Sequence, residues 1–561
     1  MVGWDSQSPS PTGSEPQATG IDTGLMSDPK HTPSTGTGGP RKQAEAMGRR
    51  VGGGLSWLMV ATVVVKAFSL VNIAVLGVLL GKDDFGVFAT AIGVAALINV
   101  LRDGGVRRIL IQKGMHRYDG LIGPIYAWTL MLNLVAALVL CALGPLMAWI
   151  HHDPQYIAVM VTIGIAAAIY GPGMIYRATL SMQYRYKAVA AMNASSALVN
   201  YVAMMLLAFG GAGPLTFTCA MIVVAAYEWV FGFAATRTPL VRFQPRVRLW
   251  PAIWGRAKWL LMGAVALALL RQGDYLVLGF LLDPRVIGVY AFAYMIGDQV
   301  ISVLASNLQQ VLMPTMATFQ HDRKRHVTAI LRVCGSLTLV AAGFGGAIAV
   351  TFEPLQQILW GGKWAAAVPA AQALALSIAL RLLVTVQESA LSSTGRFRVQ
   401  FLALLTQGIG MACVAAVSGM LFPTQPGMIA LGVGLWFVVG ITGVVAWSLK
   451  QAGVPALDFL MIVLRTWGTL TIVALLIILT DLWISNAMLS EALRSGEPIN
   501  HGLAHYTARL AIVGAAYVVV AGTIVRVALP GTLRDMLAIA PHRLAQPATR
   551  LLRLSTVGPA R

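Results

Sequence analysis

Long apolar stretches separated by short polar segments recur along the chain from Trp57 to Ala528. A helix of about 20 apolar residues crosses the roughly 30 Å hydrocarbon core of a bilayer. The pattern therefore predicts an all-α polytopic membrane protein with about fourteen transmembrane helices. The predicted spans are residues 57–80, 85–106, 121–149, 156–176, 188–210, 214–236, 257–281, 286–313, 328–351, 366–391, 397–421, 427–448, 459–484 and 507–528.

One segment of the chain is present twice. Residues 76–112 match residues 278–314 without a gap, at a displacement of 202 positions. Two copies of one membrane module predict an internally repeated transporter, a class of protein that places its substrate between related bundles. The identical residues are Leu76, Gly77, Leu79, Leu80, Gly86, Val87, Ala89, Ala91 and Leu110, which match Leu278, Gly279, Leu281, Leu282, Gly288, Val289, Ala291, Ala293 and Leu312.

The repeat predicts two six-helix lobes followed by an accessory helix pair. The N-lobe covers residues 51–237, a basic cytoplasmic linker covers 238–256, and the C-lobe covers 257–450. Residues 451–531 hold spans 13 and 14, which have no copy in the first half. Residues 1–50 are rich in Ser, Pro, Thr and Gly and are expected to form a disordered cytoplasmic tail without a signal peptide. Residues 532–561 form a basic cytoplasmic tail.

The distribution of Lys and Arg among the loops predicts how the chain is oriented in the membrane. The net charge is +19, although only 11% of the residues are charged and the mean hydropathy is +0.72. Lys and Arg follow the even-numbered spans, whereas the odd-numbered loops contain only Lys82, Arg285, Lys363 and Arg494. By the positive-inside rule, both termini face the cytoplasm of a bacterial inner membrane. The basic loops are therefore expected to contact membrane lipids and not nucleic acid.

Sequence motifs for cofactors and metals are missing. The chain contains neither a phosphate-binding G-x-x-x-x-G-K-[ST] loop nor an H-E-x-x-H zinc motif. Cys141, Cys219, Cys334 and Cys413 each lie inside an apolar run, without a CxxC spacing or a neighbouring His. We expect them to be small core residues, and we expect neither a cofactor nor a metal.

Charged residues in the predicted spans are the functional candidates, because a charge at membrane depth costs at least a few kcal/mol. The cations Lys66, Arg271 and Arg381 are predicted to attract an anionic ligand. The carboxylates are candidates for coupling to an ion gradient, and Asp274 could also pair with Arg271 on one helix face. These carboxylates are Asp274, Asp298 and Glu388.

Polar stripes accompany these charges on spans 1, 5, 7, 8 and 10 and predict a hydrated cavity between the two halves. The alternative is that the Ser, Thr and Asn residues join helices to one another by hydrogen bonds, which is sufficient for span 5. The stripes consist of Thr62, Lys66 and Ser69; Asn193, Ser196 and Asn200; Asp298, Ser302, Ser306 and Gln309; and Ser377, Arg381, Thr385, Glu388 and Ser392.

Asp83 and Asp84 raise an enzymatic alternative, because membrane glycosyltransferases that use polyprenyl-phosphate sugars keep acidic residues in such a loop. The second copy has Arg285 and Val286 at the matching positions, so the turn forms without carboxylates. The loops predicted to lie outside are too short for an acceptor-binding domain. We therefore expect a transporter and not an enzyme.

Three segments carry a family resemblance. They are LLGKDDFGVFATAIGVAALINVLRDGGVRRILIQKG, QGDYLVLGFLLDPRVIGVYAFAYMIGDQVISVLASNLQQVLMPTM and FEPLQQILWGGKWAAAVPAAQALALS. Over about residues 55–450, the chain resembles the bacterial polysaccharide transporters, or Wzx-type flippases, of the multidrug/oligosaccharidyl-lipid/polysaccharide exporter superfamily.

The resemblance implies a flippase that moves oligosaccharide linked to a polyprenyl pyrophosphate, usually undecaprenyl pyrophosphate, from the inner to the outer leaflet by alternating access. Its product would serve capsule, exopolysaccharide or O-antigen (lipopolysaccharide) biosynthesis, and a polysaccharide polymerase and a chain-length regulator are the expected partners. Related flippases use cations in their cavity, so Lys66, Arg271 and Arg381 are the candidates for substrate contact. A cation-coupled multidrug exporter of the same superfamily is the alternative, although it favours an acidic, aromatic pocket.

Overall fold

The computed structural model describes residues 64–103, 118–183, 185–237, 250–299, 322–495 and 502–539. Within these ranges the chain is helical and contains no strand. The helices are α1 (Val64–Leu79), α2 (Lys82–Asp103), α3 (Tyr118–His151), α4 (Gln155–Met182), α5 (Tyr186–Phe209), α6 (Leu215–Thr236), α7 (Trp250–Leu281), α8 (284–299), α9 (Arg323–Trp360), α10 (Val368–Ser393), α11 (Phe397–Leu421), α12 (Pro426–Gln451), α13 (Ala456–Ser495), α14 (Leu503–Ala528) and α15 (Pro530–Ile539).

The all-α membrane fold is confirmed. Twelve of the described helices, α2–α7 and α9–α14, are long and apolar enough to cross a membrane. The remaining two predicted spans correspond to α1 and α8, each of which borders residues that lie outside the described ranges. The total of about fourteen spans therefore remains a prediction. Several helices extend past the predicted limits, because polar residues at the membrane surface can continue a helix. The longest are α13, with 40 residues, and α9, with 38.

Helix contacts follow the predicted grouping. We call α1–α6 the first lobe and α7–α12 the second lobe. In the first lobe α4 packs against α3 and α6, and in the second lobe α7 packs against α11 while α10 packs against α9 and α12. The accessory helices α13 and α14 both pack against α9. Between the lobes, α2 packs along α7. The exact limits of the predicted domains stay predictions.

The two copies of the repeat contact each other through matching residues. A Cβ atom built on Gly86 would lie 1.8 Å from the carbonyl oxygen of Pro284, and one built on Gly288 would lie 1.8 Å from that of Lys82. Gly86 matches Gly288, and Lys82 matches Pro284, at the displacement of 202. Reciprocal contacts of this kind indicate a local twofold axis between the starts of α2 and α8. Asp83 and Arg285 also match, and they form a salt bridge of 3.0 Å across the axis.

Aromatic side chains from both lobes pack beside this axis. The ring of Phe85 in α2 makes edge contacts with Phe217 of the first lobe and with Phe292 and Trp364 of the second, at centroid distances of 5.2, 5.4 and 5.3 Å. Phe292 stacks on Trp364 at 3.7 Å. Phe85, Phe217 and Phe292 are almost completely buried. We call the end of the bundle that contains these residues the closed end.

The end of α1 is capped by the second lobe. The last carbonyl groups of a helix lack partners within the helix and are costly to leave bare in a membrane. Trp364 Nε1 donates to the Gly77 oxygen at 2.9 Å, and Lys363 Nζ donates to the oxygens of Val78 and Leu80 at 2.8 and 2.6 Å. Burial lowers the pKa of the Lys363 ammonium group, and the negative charge of Asp84 opposes this shift. The segment 360–364 therefore joins the lobes at the closed end.

Arg509 links the accessory helices α13 and α14 to α9 of the second lobe. Arg509 of α14 donates to Asp481 of α13 at 2.6 Å and to Glu353 of α9 at 2.9 Å. The side chains of Arg509 and Asp481 are 12% and 14% exposed. Because one cation neutralises carboxylates on two other helices, it ties α13 and α14 to the second lobe.

Replacing Arg509 by Ala should loosen this attachment. Removal of one partner from a largely buried ion pair costs at most about 3–5 kcal/mol, since the remaining carboxylates lose their counter-charge. We expect Arg509→Ala to lower the thermal unfolding midpoint in detergent and to increase hydrogen exchange in α13 and α14. Arg526→Ala removes an exposed cation from the same helix and is the matched control. Equal midpoints for the two variants would contradict the anchoring role.

Candidate functional site

Helices α1, α7, α8 and α10 bring four of the five predicted polar stripes together. Ser69 Oγ of α1 donates to Gln299 Oε1 of α8 at 2.7 Å. Tyr290 of α8 contacts Asp274 of α7, and Arg381 of α10 contacts Asp298 of α8. The site therefore combines one helix of the first lobe with three of the second.

Arg381 is the central cation of this site. Its side chain is 13% exposed, and Nη1 lies 3.4 Å from Asp298 Oδ1. The guanidinium group also stands over the ring of Tyr294, with 4.9 Å from Cζ to the ring centroid. A cation over an aromatic face is stabilised by the ring quadrupole. Two neighbours thus stabilise the charge of Arg381 before any ligand arrives.

Asp298 is shared between two cations. Its side chain is 44% exposed, and its charge interacts with that of Lys66 in α1 as well as with Arg381. Lys66 is partly buried. Because Lys66 belongs to the first lobe and Arg381 to the second, the carboxylate of Asp298 connects cations of both lobes.

Asp274 and Arg271 have different surroundings. Asp274 is completely buried, and its Oδ2 accepts a hydrogen bond of 2.8 Å from Tyr290 Oη. The suggested pairing with Arg271 is not formed, since no salt bridge joins these two described residues within 4.0 Å. Arg271 is exposed, and its charge interacts electrostatically with Tyr294. Three residues of separation place side chains on one face, but the neighbouring helix decides which partner each one has.

Tyrosine residues complete the site and were not among the predicted candidates. The rings of Tyr275, Tyr290 and Tyr294 lie 5.4–6.0 Å apart in edge and tilted contacts. The sequence did contain a signal for two of them, because Tyr290, Tyr294 and Asp298 follow one another at intervals of four on one helix face. Tyrosine also occurs in apolar spans, so this spacing alone did not distinguish the two rings from core residues.

Several predicted residues lie away from this centre or outside it. Glu388 is partly buried two turns along α10 from Arg381, about 10 Å in helix rise. Ser377 bonds to carbonyls of its own helix, and Ser392 donates to Gln400. The residues that lie outside the described ranges are Thr62, Ser302, Ser306 and Gln309.

The span 5 stripe is linked to α1 of the first lobe through Met204, one turn after Asn200. Asn72 Nδ2 of α1 and Asn200 Nδ2 of α5 donate to the same sulfur, Met204 Sδ, at 3.5 and 3.8 Å. Ser196 is buried, whereas Asn193 is exposed. This stripe thus joins α5 to α1 through a methionine.

The repeat gives both lobes polar residues at the same positions. At the displacement of 202, Ser69 matches Arg271 and Asn72 matches Asp274. The matched residues of α1 are neutral, whereas those of α7 are charged. The two lobes therefore present different chemistry at equivalent places around the twofold axis.

Other charged residues have structural partners. Asp83 pairs with Arg285, and Asp84 Oδ2 accepts from the Gly81 N–H at 2.7 Å, which shapes the turn. Glu228 pairs with Arg177, and the guanidinium of Arg102 lies 4.0 Å from the ring centroid of Tyr170. The four cysteines are free thiols. Among the described residues, no group of three or more His, Cys, Asp or Glu side chains could hold a metal ion.

Tyr290→Phe should destabilise the site more than Tyr294→Phe. The first change removes the hydrogen bond to buried Asp274, which costs about 1.5–3 kcal/mol when the acceptor is charged. The hydroxyl of Tyr294 is buried without a partner in the described structure, so its removal should leave the thermal midpoint unchanged or slightly raised. Thermal unfolding of both purified variants measures the difference. A larger loss for Tyr294→Phe would contradict the assigned geometry.

Sequence comparisons identify related proteins. A family model described as polysaccharide biosynthesis protein matches residues 75–369. The lipopolysaccharide biosynthesis protein WzxC of Escherichia coli is 22% identical over 359 residues, which are 62% of this chain and 71% of WzxC. The succinoglycan biosynthesis transport protein ExoT of Rhizobium meliloti is 24% identical over 341 residues, or 60% of this chain and 67% of ExoT. The teichuronic acid biosynthesis protein TuaB of Bacillus subtilis is 20% identical over 386 residues, or 66% and 78%.

Solved structures share the fold. The lipid II flippase MurJ in an inward closed conformation superposes with a TM-score of 0.64 at 12% identity, covering 84% of this chain and 99% of MurJ. An inward-facing multidrug resistance transporter of the MATE family has a TM-score of 0.55 at 11% identity, covering 70% and 98%. At these identities the likeness concerns the fold alone.

Proposed function

The chain belongs to the polysaccharide biosynthesis protein family, and from this premise we propose that it flips oligosaccharide repeat units linked to polyprenyl pyrophosphate across the bacterial inner membrane. The observation that carries the proposal is that Lys66 of the first lobe and Arg381 of the second both face the carboxylate of Asp298, with Arg271 exposed on α7. Three relatives with polysaccharide names and a matching transporter fold support it.

The pyrophosphate is the part of the substrate that these cations would hold. Arg271 is exposed and provides the first contact, since Arg381 already has Asp298 and Tyr294 beside it. A phosphate that enters would compete with Asp298 for Arg381 and Lys66. Such an exchange of one anion for another keeps the cations compensated in both the empty and the loaded transporter, which avoids the cost of a bare charge in the membrane.

Alternating access would follow from the contacts at the closed end. The predicted orientation places this end outside, so the contacts found there would close the outer side of the transporter. The sugar head would enter between the lobes while the prenyl tail stays in lipid, and outward opening would separate α2 from α8 and α1 from segment 360–364. Asp274, Asp298 or Glu388 would couple this movement to a proton or sodium gradient; a polymerase that consumes the product would be an alternative driving force.

The other functions are less well supported by the site. A multidrug exporter for cationic drugs requires an acidic pocket, whereas the three candidate cations of this site outnumber its two carboxylates, Asp274 and Asp298, in the described part of the chain. A glycosyltransferase based on Asp83 and Asp84 would need free carboxylates, and these two side chains hold the salt bridge and the turn. We therefore propose a transporter, with a polymerase and a chain-length regulator as downstream partners and with both termini in the cytoplasm.

Depletion of the protein should trap the glycolipid in the inner leaflet. We expect wild type to restore its translocation, and Arg271→Ala, Arg381→Ala or Lys66→Ala to lower the rate about 10- to 100-fold, because charge-assisted hydrogen bonds to phosphate are lost. Leaflet-specific labelling of the lipid-linked oligosaccharide measures this rate. Arg398→Ala, an exposed cation on α11, is the control at equal expression. Unchanged translocation after depletion would refute the proposed function.

A crosslink across the twofold axis should stop transport. Asp83 and Arg285 touch in the closed state, and their exposed salt bridge contributes little stability, so both positions tolerate substitution. In a variant without its native cysteines, Asp83→Cys combined with Arg285→Cys should crosslink with a short thiol reagent and lose translocation until a reductant-cleavable bridge is opened. Each single Cys variant controls for the reagent. Full transport by the crosslinked protein would exclude opening at this end.

A further inference from the structure

Two amide side chains in the first lobe are only weakly satisfied. Asn72 is 3% exposed, and its Oδ1 has no hydrogen-bond partner in the described ranges. Its Nδ2 donates to Met204 Sδ, as does Asn200 Nδ2. A thioether sulfur is a weak acceptor. Both amides therefore retain hydrogen-bonding capacity that the protein itself uses poorly.

Reversing the Asn72 amide does not give all of its hydrogen-bonding atoms a partner. Reversal of the amide would place Oδ1 against Met204 Sδ, an atom that has no proton to donate. The NH₂ group would then be the buried, unpartnered group. In either orientation Asn72 offers strong hydrogen-bonding atoms without a strong protein partner.

Ser196 adds a third group of the same kind. It lies one turn before Asn200 on α5, it is 6% exposed, and its Oγ has no partner among the described residues. Polar groups within a membrane are normally paired, because no water is present to satisfy them. If these residues served only to join α1 to α5, they would bond directly to one another. Their shared contact is a methionine instead.

We propose that Asn72, Ser196 and Asn200 form a subsite for the sugar hydroxyl groups of the transported oligosaccharide, an inference that rests on the proposed function. Asn72 Oδ1 requires a donor. An ionised pyrophosphate has only acceptor oxygens, whereas a sugar hydroxyl both donates and accepts. The chemistry of the subsite thus selects the sugar part of the substrate and not its phosphate.

The position of the subsite agrees with this division. Lys66 lies six residues before Asn72 on α1, about 9 Å away in helix rise. Ser69 lies between them and bonds to Gln299, the neighbour of Asp298. Asn72 is nearer to the closed end than Lys66, so a head group that enters first would reach the amides while the pyrophosphate behind it meets the cations.

Met204 serves as a movable cover in this arrangement. Its side chain has three rotatable bonds and tolerates several conformations. When a sugar is present, rotation of Met204 would release both amides, and the weak N–H···S contacts would be exchanged for stronger bonds to hydroxyl oxygens.

Binding to two lipids tests the subsite in the purified full-length protein in nanodiscs. The probes are undecaprenyl pyrophosphate and the lipid-linked oligosaccharide extracted from cells depleted of the transporter. We expect Asn72→Ala and Asn200→Ala to weaken binding of the glycosylated lipid about tenfold and to leave binding of undecaprenyl pyrophosphate unchanged. Arg271→Ala should weaken both. Asn193→Ala removes an exposed amide from the same helix, outside the subsite, and should retain both affinities.

The outcomes separate the subsite from the proposed function. Equal weakening of both lipids by the Asn variants, or no weakening at all, overturns the subsite and leaves the flippase in place. Failure of the wild-type protein to bind either lipid overturns the proposed function. Asn200 is only partly buried, so Asn200→Ala decides the question if Asn72→Ala lowers the thermal midpoint.

Discussion

The backbone contact between the starts of α2 and α8 is the constraint on which the rest of the structure depends. At Gly86 and Gly288 the opposite carbonyl oxygen occupies the place of a side chain, so the two copies of the repeat meet backbone to backbone. A contact this close fixes both the distance between the lobes and the twofold axis that relates them. The polar faces of α1, α7, α8 and α10 are held opposite one another as a consequence.

The same region also decides how α1 is supported. This helix belongs to the first lobe by sequence, yet its last carbonyl groups are capped by Lys363 and Trp364 of the second lobe. In a membrane these carbonyls must have donors, so any opening at this end has to supply replacements. Water entering at this end would provide them. The energy of opening is therefore coupled to the access of water, which suits a gate.

The central site balances its charges within short distances. The carboxylate of Asp298 forms a salt bridge with Arg381 and attracts the charge of Lys66, and Tyr290 donates a hydrogen bond to Asp274. This arrangement makes the empty site tolerable in a low-dielectric environment, and it also means that an anionic ligand gains by exchange with an existing carboxylate. The neutral amide of Asn72, at the position equivalent to Asp274, would add selectivity for hydroxyl groups without adding charge. Recognition of a phosphate and of a sugar would thus be divided between the lobes.

The sequence by itself determined the class of the protein, its repeat and most of its helices, because the length and hydrophobicity of a span and the spacing of its polar residues are local properties. Depth in the apolar spans also marked functional candidates, whose roles stay predictions: Lys66, Arg271, Arg381, Asp274, Asp298 and Glu388. The sequence did not determine their partners. Arg271 and Asp274 share a helix face, but Asp274 bonds to Tyr290 of the next helix. Three further features also join residues that are far apart in the chain. They are the reciprocal contacts at Gly86 and Gly288, the capping of α1, and the link from Arg509 to two other helices. Only helix packing decided them, because a hydrogen bond or an ion pair depends on which side chains meet within about 3 Å, and that distance is set between helices and not along them.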